Sequence, residues 1–348
     1  MGSRSFLQTV KISDLAFMVS VYLFTIEGFL KIAIIIYHKE SIERLIINLG
    51  IMWRISNLTD VQNEKKKRFL KTLNIGQSVF YWCCTMGIWQ IMLTPLLVAL
   101  FQKFILHQDE DLSLPLGSTY FFDYKENWLQ YIIAYLFQIY SITGMGFMYC
   151  GIEFLIVTIC AHLSTEFSIL QEDFKNIIPR RNNIELTQNT AHGPTITIEN
   201  LINNHQKLIG LTKLTNDIFN KLFFVNLLFA TIINCLFAFV ITIADDAVEL
   251  ANNIVAVLVL ITLIYILCHY SQLLREESGG ITESAYENLW YQGDINYQKA
   301  IGFVMARSQK PCCLLSLNHT PITLNTFTKV VSTTWSYLSL ARTMYTEN

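Results

Sequence analysis

Five long apolar runs mark the chain, separated by polar and charged segments. A window of about 19 residues places them at 14–37, 75–101, 128–161, 221–243 and 252–274. A helix of about 20 residues crosses a bilayer's hydrocarbon core, so each run is long enough to span. The third exceeds that length and is expected to leave the membrane as a helix continuing to "HLSTEFSILQEDFKN". A sixth, weaker span is predicted at 322–342, where "NTFTKVVSTTWSYLSLARTMY" has the length of a crossing yet carries a lysine and many hydroxyl side chains.

Spacing residues at 100° intervals sorts this last helix into two faces. Thr326, Lys329, Ser332, Thr333, Ser336 and Thr343 fall on one side, and Phe327, Val331, Trp335 and Leu338 on the other. A polar span is stable where it lines a water-filled cavity, or where hydroxyls glue it to a neighbouring helix. The pattern leaves both readings open. Leu340 interrupts the polar stripe near its outer end, and an apolar ring in a wet pore gates by dewetting. One such helix cannot enclose a pore, so the pore reading requires an oligomer.

Loop charges set the orientation. Lys39, Arg44, Arg54, Lys65, Lys66, Lys67, Arg68 and Lys71 lie between the first two runs, and Lys175, Arg180, Arg181, Lys207 and Lys213 between the third and fourth. The alternate loops, "HQDEDLSLP" and "ADDAVEL", are acidic and lack Lys and Arg. The positive-inside rule puts the basic loops in the cytoplasm, and the acidic loops and both termini outside.

Composition agrees with a membrane protein. Of 348 residues, 52% are hydrophobic and 15% charged, against about a quarter charged in soluble domains. A net charge of −2 gives no sign of a nucleic-acid partner. The eight cysteines show no C-x-x-C and no Cys/His spacing, so packing thiols are expected rather than disulfides or a metal site. Neither a signal peptide nor a lipid anchor is read at "MGSRSF". The sequons at Asn57 and Asn318 are expected to stay unmodified, being at the cytoplasmic side.

Catalytic motifs are missing: no H-E-x-x-H, G-x-S-x-G or Walker loop occurs, and Asp245–Asp246 stand without a partner motif. The reading is not an enzyme, with no cofactor. His162 and His205, on the cytoplasmic extensions, are expected to make surface hydrogen bonds. Charges within spans are more informative, because each is costly there unless paired. Glu27 and Lys31 are spaced for an ion pair on one helical face; Glu153 has no local partner and should face another helix or water.

The region "YSQLLREESGGITESAYENLWYQGDINYQKAIGFVMARSQKPCCLLSLNHTPITLNTF" resembles the C-terminal third of an insect odorant receptor. The resemblance rests on Glu277-Ser278, Ala285-Tyr286, Trp290-Tyr291, Arg307-Ser308-Gln309-Lys310-Pro311, Leu324, Phe327 and Ser336-Tyr337. It extends upstream through "LPLGSTYFFDYKENWLQYIIAYLFQ" and "ENLINNHQKLIGLTKLTNDIFNKLFFVN". What it implies is an all-α polytopic membrane protein: an odorant-receptor-type bundle whose cytoplasmic helix extensions form an anchor domain. The family has seven spans and six are visible here; "DLAFMVSVYLFTIEGFLKIAIIIYHKESIERLI" resembles the family's second helix, so its first helix is read as missing. Ser271 stands where the family usually has glycine. The implied division is a segment 1–13, an odorant-binding transmembrane domain 14–271 with extensions at about 38–73 and 163–220, an anchor region 272–318, and the pore-lining helix with its outer tail, 319–348.

The implied function is the odour-tuning subunit of a heteromeric, odorant-gated, non-selective cation channel. It would assemble as a heterotetramer with odorant receptor co-receptor subunits, in the plasma membrane of olfactory sensory neuron dendrites. A gustatory-receptor-type channel is the alternative, although the Thr-Tyr…Gln-Phe signature is missing from "TFTKVVSTTW". A G-protein-coupled receptor would need the opposite orientation. By resemblance the ligand lies in the outer half of the membrane, which singles out Met18, Val21, Tyr22, Thr85, Met86, Trp89, Tyr135, Gln138, Ile139, Leu258, Ile261, Thr262 and Tyr265. The implied pore lining is Thr326, Lys329, Thr333, Ser336, Leu340 and Thr343, with Leu340 as gate.

Overall fold

A computed structural model describes residues 12–56, 58–101, 114, 128–177, 197–244 and 247–346. Asn57, Arg180, Arg181, Asp245, Asp246 and most of both acidic loops lie outside the described residues. The described chain is helical almost throughout: α1 Ile12–Tyr37, α2 Lys39–Met52, α3 Asp60–Phe101, α4 Trp128–Asn176, α5 Ile198–Ile243, α6 Ala247–Glu287, α7 Ile295–Ser308 and α8 Leu324–Thr346. A two-stranded hairpin, β1 Leu315–Ser316 and β2 Thr320–Pro321, precedes α8.

Five helices, α1, α3, α4, α5 and α6, are long and apolar enough to cross a membrane. They carry the five apolar runs of the sequence. Four of them are 41 to 49 residues long, or about 60–75 Å at about 1.5 Å per residue, twice the hydrocarbon thickness. Span and extension are therefore one continuous helix in each case. α8, with 23 residues, has the length of a span without the hydropathy.

The two halves of the bundle are held by different physics. At the end of the bundle beyond the apolar runs, Phe167, Leu170 and Phe174 of α4 bury against Leu201, Leu208, Phe219 and Phe223 of α5, Leu274 and Ile281 of α6, and Ile301 and Val304 of α7. Where helices continue past a bilayer into water, burial of apolar surface drives their packing. Towards the outer side, Leu15, Phe29, Trp82, Ile133, Phe137 and Tyr140 are exposed, as a bilayer permits.

Polar side chains lock these helix extensions together. Gln62 of α3 donates to the Ile169 carbonyl (3.1 Å) and Asp173 Oδ1 (2.6 Å) of α4, and Arg54 pairs with Asp173 at 2.5 Å. Asn288 donates to the Phe174 and Ile177 carbonyls at 3.1 and 2.6 Å, satisfying groups that a helix end leaves open. Tyr297 donates to Asn288 Oδ1 at 3.0 Å; burial pushes its hydroxyl up to about 12, so it stays protonated.

The histidines depart from expectation. His205 is buried, with the rings of Phe167 and Phe174 each 6.3 Å away, and His162 is half-buried against Trp53 at 4.4 Å. Neither makes a surface hydrogen bond, because the helices they ride on pack against one another rather than facing water. All eight cysteines are free thiols, and Cys84, Cys150, Cys160 and Cys268 are buried.

Candidate functional sites in the helical bundle

A buried ion network ties three helices together inside the membrane. Lys31 Nζ lies 2.8 Å from Glu27 Oε1 on the preceding turn of α1 and 2.9 Å from Glu153 Oε1 on α4. Asn226 of α5 accepts from Lys31 at 3.3 Å and donates to Glu153 Oε1 at 2.9 Å. Tyr149 donates to Glu27 Oε1 at 2.9 Å, and its ring lies under the ammonium, 3.5 Å from Nζ. Lys31 and Glu27 are both fully buried. The predicted Glu27–Lys31 pair is present, and the helix that Glu153 was expected to face is α1. A neighbouring void between Gly28, Met145 and Tyr149 has no room for a water molecule, and ion pairs are strongest away from water.

Just outward lies an aromatic cluster that sequence reasoning missed. Phe80, Tyr149 and Phe237 pack with Phe17, Phe24, Phe154 and Phe229, and the Phe24 and Tyr149 rings stack at 4.7 Å. These positions look like ordinary span residues in the sequence, and only the bundle brings them together.

The candidate ligand residues divide by placement. Tyr135 and Gln138 are buried, and Tyr135 donates to the Met92 carbonyl of α3. Met18, Val21, Thr85, Ile139 and Ile261 are half-buried, whereas Tyr22, Met86, Trp89, Leu258, Thr262 and Tyr265 are exposed on the bundle. Thr85 and Thr262 spend their hydroxyls on the Tyr81 and Leu258 carbonyls of their own helices. The structure thus collects Tyr135, Gln138 and Ile139 on the α3–α4 side and leaves Tyr22 and Trp89 facing out. Tyr265 reaches the last helix, its ring 5.5 Å from that of Phe327.

α8 packs against α5 and α6 through Phe327, Val330, Thr334 and Leu338, all at least partly buried. Sequence reasoning put Val331 and Trp335 on that face; Val331 is 37% and Trp335 70% exposed. Thr334 fits the inward face because its hydroxyl is satisfied by the Val330 carbonyl (3.0 Å), a bond that lets a threonine sit beside apolar neighbours. Lys329, Ser332, Thr333, Ser336, Leu340 and Thr343 are exposed. Thr326 is buried, its hydroxyl donating to the Pro321 carbonyl at 2.6 Å, so it faces the hairpin rather than open space.

That hairpin is clamped to α5. Asn216 accepts the Leu315 N–H at 2.7 Å and donates to Asn318 Oδ1 at 2.9 Å, and the Asn220 carbonyl accepts the Leu317 N–H at 3.2 Å. Leu317 and Asn318 hold positive φ of 47° and 60°, a region asparagine tolerates and leucine rarely adopts.

A sequence profile described as 7tm odorant receptor matches residues 11–335. The chain belongs to the odorant receptor family. It is a multi-pass membrane receptor, not an enzyme. Among curated relatives, Drosophila melanogaster odorant receptor 85c is 21% identical over 96% of this receptor and 84% of its own length. Odorant receptor 85b of the same species is 29% identical over 42% of this receptor, and that match spans only 38% of the relative. The solved structure of the insect olfactory receptor OR5 from Machilis hrabei superposes with a TM-score of 0.78 at 12% identity, over 95% of this receptor and 82% of that chain. The same protein in complex with eugenol gives 0.79 at 11% identity, over 97% and 84%. The shared fold is the all-α bundle described above.

Proposed function

We propose that this receptor is the odour-binding subunit of an odorant-gated, non-selective cation channel, assembled as a heterotetramer with co-receptor subunits in the plasma membrane of olfactory neuron dendrites. The observation that carries the proposal is the face of α8. Phe327, Val330, Thr334 and Leu338 turn inward, and Lys329, Thr333, Ser336 and Thr343 remain exposed along a helix of membrane-spanning length. A polar stripe at membrane depth needs water or another subunit. A pore shared between subunits supplies both, with Leu340 as the apolar constriction. The region 272–318, together with the cytoplasmic ends of α4 and α5, acts as the anchor between subunits.

The ligand is a small volatile held in the outer half of the bundle, near Tyr135, Gln138 and Ile139, where apolar walls carry few polar groups. The eugenol complex of the Machilis receptor supports a ligand of that size. Ligand opens the pore only by binding the open arrangement better than the closed one. The Tyr265–Phe327 contact links α6 to α8, so a displacement of α6 on binding turns α8 and withdraws Leu340. Whole-cell current with and without the co-receptor, under a panel of volatile esters, aldehydes and phenols, tests the proposal. Odorant-evoked current reversing near zero only when both chains are present supports it; surface expression of both with no current to any odorant counts against it.

A further inference from the structure

A cavity lies where the bundle meets the cytoplasmic face of the membrane, away from Tyr135, Gln138 and Ile139. It is an open cleft of about 380 Å³ between α3, α4 and α6, within the range of small-molecule sites. Lys65, Arg68 and Thr72 line it from one face of α3, Gln171 from α4, and Tyr270 and Glu277 from α6.

Its charges are unevenly satisfied. Lys65 pairs with Glu172. Glu277 is held by Ser168 and by Gln171, whose Nε2 is 2.9 Å from its carboxylate. Arg68 makes no hydrogen bond or ion pair among the described residues. Its guanidinium, with five N–H donors suited to a phosphate, is thus left open at the cavity. Lys67 and Lys71 stand exposed beside it, whereas Lys66 turns away, 3.7 Å over the Trp53 ring.

Position decides between a soluble anion and a lipid. Following the stripe from Arg68 and Thr72 up α3 by helical steps leads to Ile75 and Val79, which are 52% and 58% exposed. An open cation therefore sits at the inner membrane boundary, with an apolar track running into the bilayer above it. Basic clusters just cytoplasmic of a span attract anionic lipids of that leaflet. We propose that this cavity binds the phosphorylated headgroup of an anionic lipid of the cytoplasmic leaflet, of the phosphoinositide class, with Arg68 as its principal contact and the acyl chains along Ile75 and Val79. The lipid bridges α3 to α6, the helix whose Tyr265 touches α8.

The purified full-length receptor in phosphatidylcholine nanodiscs tests this by titration with dioctanoyl phosphatidylinositol 4,5-bisphosphate, dioctanoyl phosphatidylserine and soluble inositol 1,4,5-trisphosphate. The expected result is saturable binding of the bisphosphate lipid, about tenfold tighter than either alternative, weakened about tenfold by Arg68→Gln and less than about twofold by Lys71→Gln. Thr72→Trp, which fills the cavity without changing charge, is expected to abolish binding even if Arg68→Gln does not fold. Equal losses in Arg68→Gln and Lys71→Gln would mean diffuse attraction and overturn the site. Inositol trisphosphate binding as tightly as the lipid would make it a site for a free anion and overturn the lipid assignment, as would undiminished binding in Thr72→Trp.

Discussion

Replacing Lys31 by methionine removes the one cation between two buried carboxylates. Each contact, at 2.8 and 2.9 Å, is worth about 6 kcal/mol of attraction at an effective dielectric of about 20. The carboxylates are at most about 6 Å apart across the ammonium, so their repulsion offsets about 3 kcal/mol. Desolvation of three charged groups consumes much of the remainder. Measured losses for breaking a buried pair by removing one partner, about 3–5 kcal/mol, are the fair expectation here. In thermal unfolding of the purified receptor, Lys31→Met should therefore lower the midpoint by on the order of 5–10 °C. The sharper test is the combination: Lys31→Met with Glu27→Gln and Glu153→Gln leaves no stranded charge and should recover more than half of that loss. If the triple variant is less stable than Lys31→Met alone, the charges are not coupled as described and the reasoning fails.

Three further outcomes follow from other contacts. Asn288→Ala removes the hydrogen bonds to the Phe174 and Ile177 carbonyls and from Tyr297, at about 1 kcal/mol each, so a loss of about 3 kcal/mol is expected in denaturant unfolding, with proteolysis appearing first near the α4 terminus. Asn216→Ala unclamps the hairpin that leads into α8; a stability loss of about 1–3 kcal/mol and altered ligand-free current should be seen in parallel thermal and patch-clamp measurements. Leu340→Ala, recorded with the co-receptor present, should raise the ligand-free current, and an unchanged current would remove Leu340 as the gate.

Much of the architecture is legible because membranes impose simple rules. The apolar runs gave the spans, their flanking charges gave an orientation, and Glu27 with Lys31 announced a pair through local spacing. What stayed hidden depends on contacts between distant residues. Glu153 and Asn226 reach Lys31 across 122 and 195 positions, and no local pattern marks such a meeting. The half-buried place of His162 and the buried place of His205 follow from helices packing against one another, where polar residues and core residues share a face. The turn of α8 stayed hidden because its threonines and serines satisfy their hydroxyls within the helix whether they face inward, as Thr334 does, or outward, as Ser336 does, so polarity alone does not mark the packed face. The odorant residues are least legible: Tyr135 and Gln138 are buried as their chemistry suggests, yet Trp89 and Tyr22, equally suggestive, face outward.

The central claim is that the exposed face of α8 lines a water-filled pore, and cysteine accessibility tests it most directly. Ser336→Cys and Val330→Cys receptors, each expressed with the co-receptor, are exposed to a charged methanethiosulfonate reagent during odorant application. Modification that blocks current at Ser336→Cys and leaves Val330→Cys unaffected is the predicted result. Rapid block at Val330→Cys with Ser336→Cys inert would contradict the account, placing water on the side where the structure packs α8 against α5 and α6.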